Sequence, residues 1–250
     1  MSGKVFISGS ISIKHIPEKV KESLGKISQG NLTALIGDAV GIDILIQKFF
    51  KNIAYYNVKV YSIYTHPRNL ATKNFETESI FVSQDIKSER DRQAYKDAEM
   101  SKDCDYNLVI WDGKSKGSYN NILRAIEQKK SVKVYLSTIN DFLPQNQVNA
   151  NEIQYIFYEN NGYTAAEVVE YLKEDGCDFF KNTRELNKYL LDNNILTKID
   201  GAYKPISMQE LFLIEKYKGK KTGIKFKNPF IDWIKNSISK SNSAKQDDLF

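Results

Sequence analysis

Apolar and polar positions in the first half of the chain follow two alternating patterns. Short, mostly apolar runs are typical of strands buried on both faces, and they occur at residues 5–7, 32–36, 58–61, 107–110 and 132–136. Between them, apolar residues recur every three to four positions, which predicts amphipathic helices at residues 18–26, 42–52, 93–102 and 117–129. This alternation predicts an α/β fold, a Rossmann-like, doubly wound parallel sheet over residues 1–137.

The pattern changes after residue 137. Residues 138–162 contain a stretch rich in Asn, Gln and Pro, which predicts a linker. A small domain is predicted over residues 163–238, with two helices capped by Thr164 and Thr183, a hairpin turning at Asp200-Gly201 and a closing helix. The order helix, helix, hairpin is that of a winged helix-turn-helix. Residues 239–250 are polar and small, and predict a flexible tail.

Composition and charge narrow the class of protein. The 250 residues are 41% hydrophobic and 27% charged, as in soluble globular chains. No run of about 18 apolar residues and no signal peptide is seen, so we expect no membrane contact and a cytoplasmic location. The two cysteines are far apart and there are only two histidines, which argues against a metal site or a Ser-His-Asp triad. The net charge of +5 permits contact with nucleic acid without requiring it. We also expect an oligomer.

Three loops that follow predicted strands are rich in Gly, Ser and Asp. One of them, residues 111–121, reads Trp-Asp-Gly-Lys-Ser-Lys-Gly-Ser-Tyr-Asn-Asn and runs into a helix, whose first N–H groups and dipole favour a phosphate. In a doubly wound sheet these loops meet at the carboxyl edge, where ligands bind. The predicted ligand-binding residues are Gly9, Ser10, Gly37, Asp38, Gly41, Asp43, Asp112, Gly113, Lys114, Ser115, Gly117, Ser118 and Asn121. The alternative interpretation is three ordinary turns.

The types of these residues define what each could contribute. The glycines let the backbone approach a ligand, and the hydroxyls donate hydrogen bonds. Asp38 and Asp43 would repel a phosphate but could accept hydrogen bonds from ribose hydroxyls. Arg68, in the polar segment 65–90 that we predict to be an irregular loop covering the ligand, is a further candidate for a phosphate contact. Trp111 could stack on a base or simply close the end of the sheet.

The same three loops carry a resemblance to a known group. The Gly-Ser turn, the Gly-Asp-Ala-x-Gly-x-Asp turn and the Trp-Asp-Gly-x-Ser-x-Gly-Ser loop resemble the SLOG superfamily over residues 1–137. This group includes the DNA-processing DprA proteins, the LOG phosphoribohydrolases and the related nucleoside 2-deoxyribosyltransferases. The resemblance implies a Rossmann-like domain that binds nucleotides or nucleotide-derived signals, in some members with cleavage of an N-glycosidic bond.

The loop departs from the LOG pattern at one position. LOG enzymes carry a Pro-Gly-Gly-x-Gly-Thr-x-x-Glu motif whose Glu assists departure of the base, and Asn121 stands at the matching place here. An amide cannot act as a general base or as a carboxylate nucleophile. Asp97 and Glu99, on a neighbouring predicted helix, are candidate replacements. The alternative is that both lie on a solvated helix face.

The second half of the chain suggests macromolecular partners. The small domain loosely resembles the winged helix of the DprA group and the DNA-associated modules of phage antirepressors. Residues 216–227 hold six lysines and no acid, which suits DNA phosphates, although a purely structural or protein-binding winged helix is the alternative. The final residues, with Gln246, Leu249 and Phe250 as anchors, resemble the peptide by which bacterial proteins bind the sliding clamp; a chance pentapeptide is the alternative.

Two hypotheses about function follow. In the first, the chain binds a nucleotide or nucleotide-derived signal and is linked to DNA, in DNA processing, repair or anti-phage defence. In the second, it is an N-glycosidase or a deoxyribosyltransferase-type enzyme whose acid comes from outside the loop. No cofactor other than the nucleotide ligand is expected.

Overall fold

A computed structural model describes residues 3–217 and 220–247, with side chains described except at 216, 217, 220–222 and 240–247. The chain divides into two compact units, Met1–Gln154 and Tyr155–Phe250. Among the residues that the structure describes, no helix is both long and apolar enough to span a bilayer.

The N-terminal unit contains a seven-stranded sheet. Its strands are β1 (Lys4–Gly9), β2 (Thr33–Ile36), β3 (Val58–Ser62), β4 (Glu76–Ser79), β5 (Tyr106–Trp111), β6 (Ser131–Leu136) and β7 (Asp141–Phe142). They lie in the order β4-β3-β2-β1-β5-β6-β7, and every pair is parallel except β6–β7. The chain therefore winds outward in one direction from β1 and in the other from β5, which confirms the predicted Rossmann-like, doubly wound sheet.

Helices cover both faces of this sheet. They are α1 (Glu18–Gln29), α2 (Ile42–Asn52), α3 (Glu89–Asp103) and α4 (Lys116–Glu127). Successive strand residues point to opposite faces, so Ile7 packs in one core cluster with α1 and α2, and Phe6 packs in another with Met100 of α3. Helix α4 packs beside α3. The groove between α3 and α4 therefore opens at the carboxyl edge of β1, next to the switch point between β1 and β5.

Two segments of the N-terminal unit differ from their predictions. The segment 65–90 is not wholly irregular, because β4 lies within it as an edge strand. Its sequence Glu-Thr-Glu-Ser lacks an apolar pattern, and Glu76 and Glu78 are instead neutralised by Lys59 of β3 at 3.1 and 2.7 Å. The prediction of a linker at residues 138–162 is also wrong, because this segment contains β7, a short 3₁₀ turn and helix α5 (Ala150–Asn161). The boundary between the two units, after Gln154, falls within α5. Polar residues conceal this helix in the sequence, but its Ile153 is fully buried.

The C-terminal unit begins with the predicted helices. They are α6 (Ala165–Glu174) and α7 (Thr183–Asp192), followed by the antiparallel pair β8 (Leu196–Ile199) and β9 (Ala202–Pro205). The predicted capping box is present, with Thr164 and Glu167 bonded to each other's backbone N–H groups. The hairpin turns where Asp200 and Gly201 both have positive φ. Helix α7 is capped by Asn182 rather than the predicted Thr183, because the side-chain Oδ1 of Asn182 accepts hydrogen bonds from the Arg184 and Glu185 N–H groups of the first turn.

A second hairpin and a long helix complete this unit. Strands β10 (Phe212–Tyr217) and β11 (Lys220–Phe226) precede α8 (Asn228–Asp247). Phe212, Phe226 and Phe230 join the buried residues of α6 and α7 in one core. The predicted closing helix is present but continues beyond Ile238, so residues 239–247 are helical rather than the predicted flexible tail. Leu249 and Phe250 lie outside the described residues.

Candidate functional site

A cavity of about 310 Å³ lies between α3 and α4 at the carboxyl edge of the sheet. Its floor is Phe6 and Ser8 of β1, and the loops that follow β1 and β2 contribute Ser10 and Gly37. Helices α3 and α4 form two facing walls. The volume is within the range of small-molecule sites, and the location is the one that the strand order predicts for a ligand.

The loop before α4 is organised by one carboxylate. Asp112 accepts hydrogen bonds from the backbone N–H groups of Lys114 and Ser115, at 2.9 and 2.7 Å, and from the hydroxyls of Ser12 and Ser115, at 2.6 and 2.8 Å. Burial opposes ionisation of this carboxyl, but the hydrogen bonds prevail and lower the pKa of Asp112 to about 2. Asp112 therefore shapes the loop and does not line the cavity.

The N-terminus of α4 is left open by this arrangement. Ser115 is the N-cap residue, but its hydroxyl is directed to Asp112 and makes no capping bond to the helix. The N–H groups of the first helical turn have no intrahelical acceptor, so they remain available to an anion beside Gly117. A Cβ built on Gly117 meets nothing within 4 Å, so the approach to these groups is not crowded.

Three serines surround the inner part of the cavity. Ser10 Oγ lies 3.3 Å from Ser118 Oγ and accepts a bond from the Asp112 N–H at 3.1 Å. Ser8 is 93% buried, and its hydroxyl has no hydrogen-bond partner among the described residues. A buried hydroxyl without a partner is uncommon, because its desolvation costs about 1–3 kcal/mol. The unsatisfied Ser8 hydroxyl therefore marks a place where a polar atom of a bound molecule would complete its hydrogen bonding.

The turn after β2 holds a fully buried carboxylate. Asp38 accepts bonds from Arg68 Nη2 at 2.8 Å, Arg68 Nε at 3.2 Å, the Arg68 backbone N–H at 3.0 Å and Ser62 Oγ at 2.8 Å. Burial alone would raise its pKa, but the bonds from Arg68 and Ser62 and the charge of Lys96 lower the pKa of Asp38 below its usual value. Asp38 does not line the cavity, so the predicted ribose contact is replaced by a role in positioning Arg68, which does line it.

A second carboxylate, in the first turn of α2, lines the cavity. Asp43 accepts a bond from the Ala39 N–H at 3.2 Å and faces Lys96, which is 97% buried. A Cβ at Gly37 would overlap the Asp43 carboxylate and lie 3.0 Å from Lys96 Nζ, so glycine is required where these two groups approach. Burial, offset in part by Lys96 and reinforced by Asp97, raises the pKa of Asp43 to about 7.

Polar side chains join the two helical walls. Asp97 of α3 lies 3.5 Å from Lys96 Nζ and accepts a bond from Asn121 Nδ2 of α4 at 3.3 Å. Asn121 in turn accepts a bond from Arg124 at 2.6 Å. Lys96 continues the series to Asp38 at 3.9 Å. The result is a continuous polar network from Arg124 to Arg68, in which Asp97, Lys96, Asp38 and Arg68 alternate in charge.

The structure separates the predicted site residues into two groups. Those that line the cavity are Gly9, Ser10, Gly37, Asp43, Asp97, Ser115, Gly117, Ser118 and Asn121. Those that do not are Asp38, Gly41, Glu99, Asp112, Gly113 and Lys114. Gly41 and Gly113 serve the loops through positive φ, and Gly41 also packs against the backbone of Ile11. Glu99 pairs with Lys102 at 2.6 Å. Trp111 is fully buried and donates to the Ser115 carbonyl, so it closes the sheet end and cannot stack on a base.

Sequence reasoning missed most of the α3 wall. This wall consists of Arg90, Gln93, Ala94, Lys96 and Asp97. The predicted helix began at Gln93 and therefore left out Arg90. The available signal was the spacing of Arg90, Gln93, Ala94 and Asp97, which places them on one face of a helix with few apolar residues. Ser8 and Arg124 were also missed.

Comparisons with known proteins give only distant similarities. No protein-family model matches the chain, and no curated protein matches its sequence. Similar solved structures include DNA processing protein A from Helicobacter pylori, described for its unique single-stranded DNA binding mode, at 15% identity and a TM-score of 0.38, over 76% of this chain and 80% of that one. DNA processing protein A from Streptococcus pneumoniae has the same identity and TM-score, over 75% and 61%. Similarity at this level does not transfer a function to this chain.

Proposed function

We propose that the N-terminal unit binds a nucleotide or a nucleotide-derived signal, with its phosphate at the start of α4. The observation that carries this proposal is the unpartnered, buried Ser8 hydroxyl in the same cavity as an uncapped helix N-terminus. In the described part of the chain, the Ser8 hydroxyl and the first N–H groups of α4 both lack a hydrogen-bond partner, and a phosphate or sugar oxygen would supply one. Arg68 and Arg90 add positive charge to the lining.

The test compares two substitutions at one position. Gly117→Asp places a carboxylate at the helix start, where it competes with the ligand anion, while Gly117→Ala adds only a methyl group into open space. We expect Gly117→Asp to weaken binding of inorganic phosphate and of nucleoside monophosphates by about tenfold or more in calorimetric titrations. Gly117→Ala should bind as the unaltered chain does. Equal affinities of the two variants would refute this phosphate site.

The C-terminal unit supports a link to DNA. Helices α6 and α7 followed by the β8–β9 hairpin have the element order of a winged helix, in which the second helix contacts DNA. Arg184 is exposed on α7, and Lys204 lies on the hairpin. We expect the chain to bind DNA with an affinity that falls steeply with salt, and Arg184→Ala with Lys204→Ala to weaken it. A binding curve that these changes leave unaltered would contradict this part of the proposal.

The final residues suit a protein partner of the replication or repair machinery. Gln246, Leu249 and Phe250 would anchor the chain on the bacterial sliding clamp. Gln246 lies in the last turn of α8, so its docking as an extended peptide would require that turn to unwind. Removal of Leu249 and Phe250 should abolish binding to the clamp. No binding by the unaltered chain would exclude this partner. The role proposed for the chain is therefore in DNA processing, repair or anti-phage defence.

The second candidate function is an enzyme that cleaves or transfers an N-glycosidic bond of a nucleotide. The observation that favours it is that two carboxylates, Asp43 and Asp97, line the cavity. Asp43, with its pKa of about 7, is suited to donate a proton near neutral pH, and Asp97 is suited to stabilise positive charge on the sugar. Incubation with nucleoside monophosphates, NAD or ADP-ribose should then release free base. Asp43→Asn and Asp97→Asn should stop this release. Release that continues in both variants would exclude these two acids.

A further inference from the structure

We infer that Asp97 selects the nucleoside part of the ligand by accepting a hydrogen bond from it, while the phosphate lies at the α4 N-terminus. This inference rests on the proposed function, because it requires a ligand whose phosphate is held at that end. The inference adds to the proposed function the orientation of the ligand in the cavity and one residue, Asp97, that determines which nucleoside is bound.

The cavity is longer than a phosphate group. Arg90 and Asp97 both line it from α3 and are two helical turns apart, as are Gly117 and Arg124 on α4. Two turns correspond to about 10 Å along each helix. A ligand with its phosphate beside Gly117 would therefore leave room along the helices for a sugar or a base.

The two parts of the cavity have opposite preferences. The part beside Gly117 offers the N–H groups of the uncapped helix start, which favour an anion. Asp97 offers only acceptor oxygens, which repel an anion and favour neutral donors. A nucleoside supplies such donors as ribose hydroxyls, as exocyclic amines or as ring N–H groups. The arrangement therefore matches a nucleotide, which carries an anion and neutral donors in one molecule.

The Asp97 carboxylate is fixed but still accessible. Lys96 at 3.5 Å holds one oxygen and Asn121 at 3.3 Å holds the other, and the side chain remains 25% exposed. Each carboxylate oxygen has two lone pairs, so acceptor capacity is left for a ligand. The unpartnered Ser8 hydroxyl on the floor is an independent sign that this space accommodates a polar molecule.

Glu99 provides a matched control on the same helix. It is two residues after Asp97, does not line the cavity and pairs with Lys102 at 2.6 Å. Asp97→Asn and Glu99→Gln each remove one negative charge from α3 and keep the side-chain size. A difference between these variants therefore reports the position of the acceptor rather than the overall charge of the helix.

The experiment titrates the full chain with inorganic phosphate and with the four ribonucleoside 5′-monophosphates. For the best nucleotide, we expect Asp97→Asn to lower the ratio of nucleotide affinity to phosphate affinity about tenfold or more. Glu99→Gln should leave this ratio unchanged. An unaltered ratio in a folded Asp97→Asn chain would overturn the inference and leave the phosphate site standing. Failure of the unaltered chain to bind phosphate or any nucleotide would overturn the proposed function as well.

The deoxyribonucleotides separate the two sources of the donated hydrogen. Weaker binding of a deoxyribonucleotide, with the difference lost in Asp97→Asn, would assign the donor to the ribose 2′-hydroxyl. Equal binding of ribo and deoxy forms, with a preference among the bases lost in Asp97→Asn, would assign it to the base. The unaltered chain tests the inference even if the variant fails to fold, since indifference to both sugar and base would overturn it.

Discussion

The two walls of the cavity are built on different principles. The α4 wall presents glycine, hydroxyl and amide groups around an uncapped helix start, and its capacity to bind an anion comes mainly from the backbone. The α3 wall presents charged side chains whose positions depend on buried ion pairs that end at Asp38. A glycine or serine on the α4 wall can therefore be changed with little structural cost, whereas the charged side chains of the α3 wall depend on partners elsewhere in the unit.

The largest expected effect on stability is at Asp38, the buried carboxylate on which the α3 wall depends. Asp38→Ala removes a buried carboxylate and leaves Arg68 and Lys96 without their shared partner. Loss of one member of a buried ion pair destabilises a protein by about 3–5 kcal/mol. Ser118→Ala on the α4 wall removes one hydroxyl contact and should cost about 1 kcal/mol. Urea unfolding of both variants measures the contrast, and equal losses would mean that the two walls do not differ in this way.

The next prediction concerns the effect of pH on Asp43, the carboxylate in the first turn of α2. The pKa of Asp43 rises from 3.8 to about 7 in the folded state, so the folded chain keeps a proton that the unfolded chain loses in this range. Stability contributed by this proton is present below about pH 4 and is lost as the pH rises to about 7. Asp43→Asn has no such proton to lose.

The measurement is a comparison of two stability profiles. From about pH 4 to about pH 7, the stability of Asp43→Asn relative to the unaltered chain should rise by on the order of 3 kcal/mol. Thermal unfolding at several pH values gives this difference directly. Parallel profiles for the two chains would show that Asp43 titrates at an ordinary value and that Lys96 fully offsets its burial.

The carboxylate of the α4 loop should respond to acid in the opposite direction. Hydrogen bonds lower the pKa of Asp112 from 3.8 to about 2 in the folded state. Its contribution to stability is therefore present above pH 3.8 and is lost as the pH falls through about 2. Asp112→Asn should cost about 1–2 kcal/mol at neutral pH, since it weakens bonds from Ser12 and Ser115. As the pH falls from about 4 to about 2, the two chains should converge in stability. A constant difference down to about pH 2 would contradict the lowered pKa.

The difference between the walls also explains what the sequence could predict. Glycine and serine turns after apolar strands are local signals, so Ser10, Gly37 and Gly117 were placed at the carboxyl edge. The roles of Asp38 and Asp43 are not local. They lie five residues apart, one in the turn after β2 and one at the start of α2. The position of Arg68, on a loop distant in sequence, decides that Asp38 rather than Asp43 forms the internal ion pair.

The second half shows the same limit. Thr164 with Glu167, and Asp200 with Gly201, are short-range signals, and the helix and the turn that they predict are present. The β10–β11 hairpin was not predicted, because its lysine-rich strands lack the alternation of apolar residues that a half-buried hairpin usually shows. Its Phe212 and Phe226 are placed by packing against Phe230 of α8.

The smallest effect isolates the backbone contribution of the α4 wall. Gly117→Ala should raise stability by about 0.5–1 kcal/mol, because alanine loses less conformational entropy in a helix and its methyl group meets nothing within 4 Å. The same variant should keep the phosphate affinity of the unaltered chain, since no N–H group is removed. Urea unfolding and phosphate titration on one preparation test both expectations. A more stable variant with weakened phosphate binding would show that the ligand comes into contact with the Cα of Gly117. Binding at the α4 wall would then depend on the side chain at this one position as strictly as the α3 wall depends on Asp38.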